Sequence, residues 1–115
     1  MAPKPVVAYP VLIGKVLARR RDNLGLKQGD LARVLKITQS AYSRLESGES
    51  VMNLAQLHAV APHLKISPTE ILQIADDYAA QLRKQGVQIV PDKPSNPAAA
   101  AIGLGLLMAI LLSLG

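Results

Sequence analysis

Residues 28–48, QGDLARVLKITQSAYSRLESG, hold two short helical patterns joined by a tight turn. Leu31, Ala32 and Leu35 recur at three- and four-residue spacing, so Gln28 to Leu35 reads as a helix with one apolar face. Lys36-Ile37-Thr38 interrupts the pattern, and Thr38 stands where a hydroxyl caps a following helix over residues 39–47. Gly48 ends that helix, because glycine enters the left-handed conformation of a helix C-terminus without steric cost.

The flanks read as helices too. On the N-terminal side, Ile13, Val16, Leu17 and Leu24 keep helical spacing, Pro10 suits a first turn and Gly25 a stop, predicting a helix over residues 11–24. The apolar run before it, Val6 to Gly14, is interrupted by Pro10 and is followed by Lys15 and Arg19–Arg21 rather than a small-residue cleavage site, so it reads as the lead into that helix. On the C-terminal side, Asn53 caps a fourth helix whose buried face is expected to hold Leu54, Leu57, Val60, Ala61 and Leu64, with Pro62 making its last turn irregular. Ser67-Pro68-Thr69-Glu70 is a capping-box signature for a fifth helix, which continues through Ile71, Ala75, Tyr78 and Leu82 until Gly86. Only Val87-Gln88-Ile89-Val90 hints at a strand, and no internal repeat is visible. The expected fold class is therefore all-α.

The chain divides into a folded unit over residues 1–85, a Pro-rich linker over 86–97 and an apolar tail over 98–115. Pro91, Pro94 and Pro97 make the linker extended and semi-rigid, with a reach of at most about 40 Å. Ten of the 13 Lys and Arg fall in residues 1–65 beside only Asp22, Asp30, Glu46 and Glu49, a local positive field suited to a polyanion. The sequence contains no cysteine, which excludes disulfides, thiolate metal sites and cysteine catalysis. His58 and His63 lie five apart, a spacing that does not place them together on one helix face as metal ligands, and Asp76-Asp77 reads as a solvated helix face. No nucleophile, base and metal set converges, so neither catalysis nor a cofactor is expected.

Residues 14–72 resemble the Cro/CI-type, lambda-repressor-like helix-turn-helix family, the XRE family of DNA-binding proteins. Gly25-Leu26-Lys27-Gln28 is similar to its entry into helix 2, Gln39 to Gly48 to its recognition helix, and Ile66-Ser67-Pro68 to the start of its last helix. The resemblance implies a five-helix domain that binds double-stranded DNA, and the few base contacts one such domain makes predict a homodimer reading two half-sites. It implies that Gln28 clamps a phosphate and that Gln39 makes a bidentate contact to adenine, whose major-groove edge offers the donor and acceptor a carboxamide needs. Ser40, Ser43 and Arg44 follow on the turn facing the bases, while Lys27, Lys36, Ser47 and Ser50 are candidates for phosphate contacts. Arg21 and Glu46 match a family ion pair, read as structural. Arg20 departs from the family's apolar or small residue, so its stem is expected along the core edge with its head in water.

Ala98 to Gly115 carries 18 uncharged residues. As a helix it would span about 27 Å, close to a bilayer core of roughly 30 Å. With apolar residues all round, it is expected to insert as a single-pass anchor contacting membrane lipid, and Arg83, Lys84 and Lys93 favour the cytoplasmic face of an inner membrane. Ala101, Gly105, Ala109 and Ser113 lie four apart, the small-residue stripe of paired membrane helices. The reading is a membrane-tethered, sequence-specific transcriptional regulator. Two alternatives stand beside it: a membrane-anchored adaptor that uses a helix-turn-helix for protein contacts, and an antitoxin-type DNA-binding protein.

Overall fold

A computed structural model describes residues 3–113. In chain order these form β1 (Val6–Ala8), α1 (Tyr9–Asn23), α2 (Gln28–Leu35), α3 (Gln39–Ser47), α4 (Leu54–Val60), a 3-10 turn (Ala61–Leu64), α5 (Pro68–Lys84), β2 (Gln88–Val90) and α6 (Pro97–Ser113). Each boundary has a local cause. Thr38 Oγ1 accepts the Ala41 N–H at 3.1 Å, Asn53 and Gln56 cap α4 reciprocally at 2.8 and 3.0 Å, and Ser67 and Glu70 do the same for α5 at 3.1 and 3.3 Å. Gly25, Gly48 and Gly86 adopt positive φ at the ends of α1, α3 and α5. Pro62, which lacks an N–H to donate, sits in the 3-10 turn that finishes α4.

The core runs from Leu12 and Leu17 of α1 to Leu31 of α2, Tyr42 of α3, Leu64, and Ile71 and Leu82 of α5, all fully buried. Leu54, expected in it, is 74% exposed, and α4 buries Leu57 and Val60 instead. Arg20 also differs from expectation. Its head does not simply meet water but donates to the Leu64 carbonyl at 2.7 Å and the Lys65 carbonyl at 2.9 Å, satisfying the end of the 3-10 turn. Asp76 accepts the Tyr9 hydroxyl at 2.6 Å, tying the start of α1 to α5. Burial, together with that carboxylate, pushes the Tyr9 phenol up to about 12.

The all-α expectation holds, with six helices among the described residues, and one small two-stranded sheet joins them. β1 and β2 pair in parallel with Val6 opposite Gln88, Val7 opposite Ile89 and Ala8 opposite Val90. A pairing of segments some eighty residues apart leaves no periodic mark in a three-residue run. It also shortens the free part of the linker, since β2 lies within residues 86–97.

The membrane span expected over residues 98–115 is not borne out. No helix among the described residues is long and apolar enough to cross a membrane, and α6 has 17 residues. Ala99, Gly103, Leu107, Ile110 and Leu111 of α6 are buried against the chain's own β1 and α5. Asn96 caps its start through the N–H groups of Ala98 and Ala99, and Arg19 donates to the Leu111 carbonyl at 2.9 Å near its end. A helix held on one side by its own domain, with a guanidinium on its backbone, is a sixth packed helix. The lipid contact and the inner-membrane location read from the sequence are accordingly withdrawn. Burial of Leu107, Ile110 and Leu111 contributes about 1.5–3 kcal/mol each toward docking α6.

Candidate nucleic-acid interface

α3 is fixed from behind and free in front. Tyr42, Leu45 and Glu46 point inward, whereas Gln39, Ser40 and Arg44 are exposed and Ser43 is half-buried. The helix is held against α1 at Gly14, where an added Cβ would collide with the Glu46 carbonyl. A second close approach lies at its end, where Gly48 meets Val11.

An ion pair sets the rotation of α3. Arg21 Nε donates to Glu46 Oε2 at 2.7 Å and Nη2 to Glu46 Oε1 at 3.0 Å, the bidentate geometry that a planar guanidinium offers a carboxylate. Arg21 also reaches the Leu26 carbonyl at 3.0 Å, so one side chain joins α1, the α1–α2 turn and α3. Burial alone would raise the Glu46 carboxyl. Hydrogen bonds from Arg21 and Gln28 and the guanidinium charge outweigh it and hold the carboxyl below the usual range. The neighbouring Tyr42 hydroxyl is buried with no hydrogen-bond partner among the described residues, and burial and the Glu46 charge both oppose its ionisation.

Gln28, Gln39, Ser40, Ser43 and Arg44 line one shallow polar hollow at the mouth of the α2–α3 pair. Gln28 is not idle there: from the first turn of α2 its amide donates to Glu46 Oε1 at 3.0 Å, which leaves a second amide hydrogen to donate elsewhere. The backbone N–H of Lys27 is taken by Asp30 at 2.8 Å, and its side chain is exposed. Lys36 adopts a left-handed φ of 57° in the turn and is exposed. Ser47 is turned back onto its own helix, its hydroxyl donating to the Arg44 carbonyl at 3.1 Å, and the Ser50 N–H donates to that same oxygen at 3.0 Å. Glu49 lines the hollow as well. Nothing in its spacing marks it, since it lies beyond the helix stop and its position depends on how the chain leaves α3.

Ala101, Gly105, Ala109 and Ser113 fall on the outward side of α6, away from the buried face. His58 and His63 both face solvent.

Residues 12–74, more than half of the chain, match the family of helix-turn-helix domains. No curated protein matches the chain. Among solved structures, the clp gene regulator ClgR from Corynebacterium glutamicum superposes with a TM-score of 0.64 at 24% identity, over 72% of this chain and 86% of that one, which is a likeness of fold. With α2 and α3 in this arrangement and the family match spanning both, the chain belongs to the helix-turn-helix domain family of DNA-binding proteins.

Proposed function

We propose that the protein is a sequence-specific transcriptional regulator that binds duplex DNA as a homodimer. One observation carries the reading: α3 presents an unbroken polar row, Gln39, Ser40, Ser43 and Arg44, on a helix whose other side is locked to the domain. A helix held this rigidly presents them to base edges with no reordering of its backbone. Gln39 suits adenine and Arg44 suits guanine or the backbone, while the α2 N-terminus with Gln28 and Lys27 suits a phosphate. Lys36 flanks the row as a further backbone contact, whereas Ser47 could serve only by releasing its hydroxyl from the Arg44 carbonyl. An adaptor binding protein through this surface is expected to offer an apolar centre as well, and this row of amide, hydroxyl and guanidinium groups has none.

The outer face of α6 supports pairing. Leu104, Met108 and Leu112 are 43%, 41% and 79% exposed and form one ridge at four-residue spacing. Ala101, Gly105 and Ala109 form the adjacent groove at the same spacing. A ridge and a groove on parallel rows are self-complementary between two copies of one helix. The face carries no charge, so a second copy satisfies it without burying an ion.

The test is binding of the full chain to random-sequence duplex DNA across a salt series, followed by selection of preferred sites. Affinity should fall steeply with salt, because Lys and Arg contacts release counterions. A flat salt response, or selection that enriches no sequence, overturns the reading.

A further inference from the structure

A second recess lies directly behind the polar hollow and has an opposite character. It is a cavity of about 610 Å³ floored by Val6 and Val11 and walled by Pro94, Pro97, Ala100 and Leu104, so it sits where β1, the end of α3 and the start of α6 meet. Its volume falls in the range of about 300–1,000 Å³ typical of small-molecule sites. The rim carries Arg44, Lys93 and Glu49. Neither Arg44 nor Lys93 has an ion-pair partner among the described residues, although Glu49 lies on the same rim. An apolar trough with two unpaired cations at its mouth matches a molecule with a hydrocarbon body and one anionic head.

Arg44 and Glu49 line both the recess and the polar hollow, and thus form the wall between them. Glycine contacts stiffen the surroundings. Gly48 leaves no space between the end of α3 and Val11, and an added Cβ at Gly103 of α6 would strike the Val6 carbonyl. A molecule in the recess therefore presses on elements that cannot slide, and its head group competes for Arg44.

We propose that this recess binds a small amphipathic carboxylate of fatty-acid type, its chain over Val6 and Val11 and its head between Lys93 and Arg44, and that binding draws Arg44 away from DNA. The second half rests on the DNA-binding reading above; the first half does not.

Calorimetry of the full chain with decanoate, decanol and decyltrimethylammonium, each kept below micelle formation, separates the chemistry. Decanoate should bind one per chain, decanol about tenfold more weakly, and the ammonium not at all over the same range. Lys93→Gln should weaken decanoate about tenfold and leave decanol unchanged, since it removes only the charge at the rim. Ala100→Phe should weaken both by filling the trough. Methyl spectra should show the bound probe at Val6, Val11 and Leu104. Equal affinity for decanoate and decanol, insensitivity to Lys93→Gln, or shifts confined to Ile102 and Met108 on the outer face of α6 would overturn the site. Saturating decanoate should lower affinity for the selected duplex about fivefold or more. Unchanged DNA affinity with decanoate bound overturns the control of Arg44. If no duplex binds at all, the DNA reading fails while calorimetry still decides the recess.

Discussion

Single side chains divide into those that hold α3 and those that α3 displays. Gln39 belongs to the second group, fully outside the core and one residue past the Thr38 cap. Gln39→Ala should cost about 1–3 kcal/mol on the preferred site and relax the choice of base at one position, measured by fluorescence anisotropy on a panel of single-base variants. An unaltered preference would show that α3 does not read bases through this residue. Glu46 belongs to the first group, 6% exposed and paired with a guanidinium that is 12% exposed. Its carboxyl is held below the ordinary value of 4.5, so its contribution to stability is full above that pH and is lost as pH falls through the depressed folded value. Urea midpoints of the native chain should drop as pH falls below about 4.5, and those of Glu46→Gln should drop less. At neutral pH that variant should already be less stable by about 1–3 kcal/mol, because Arg21 loses its bidentate carboxylate and keeps only the exposed Asp22 and the Leu26 carbonyl as partners.

Between elements, the decisive contacts are close approaches of backbone. Gly103 of α6 lies against the Val6 carbonyl of β1, with no space for a methyl group. Gly103→Ala should destabilise the chain by about 1–3 kcal/mol and loosen α6, which limited proteolysis in residues 91–97 would reveal. Gly29 of α2 has nothing within 4 Å of the same added atom. Gly29→Ala should raise the melting temperature through a gain of about 0.5–1 kcal/mol in helix propensity. Two glycine-to-alanine changes in helices thus have opposite signs, and only their tertiary neighbours distinguish them. If Gly103→Ala were neutral, the docking of α6 on β1 would be wrong.

For the molecule as a whole, α6 raises a question of cover. One side of this uncharged helix is buried in its own domain, while Ile102, Leu104, Met108 and Leu112 remain 40–79% exposed. Large contiguous apolar patches on a protein surface mark interaction sites. Sedimentation velocity should find the full chain dimeric at micromolar concentration, and Met108→Glu should make it monomeric while leaving its helical signal intact. A monomer in the unmodified chain would remove the pairing surface. The same measurement with selected DNA should give two chains per duplex, as expected where two half-sites are read about 34 Å apart.

Sequence determined the helices and their ends. Thr38, Asn53, Ser67 and the glycines at 25, 48 and 86 act through hydrogen bonds and backbone sterics within a few residues, so α2, α3 and α5 are legible without any tertiary information. The polar row on α3 is legible for the same reason, since helical spacing alone brings Gln39, Ser40, Ser43 and Arg44 together. Tertiary structure decided what depends on distant partners. The pairing of β1 with β2 needs Pro5 to Ala8 beside Gln88 to Val90, and three residues of strand carry no period strong enough to announce it. The fate of α6 was decided there too. Composition measures how apolar a helix is, but whether lipid or its own domain covers one face depends on Gly103 fitting Val6 and on Arg19 reaching the Leu111 carbonyl. Those are contacts across some ninety residues of chain, and only the assembled fold creates them.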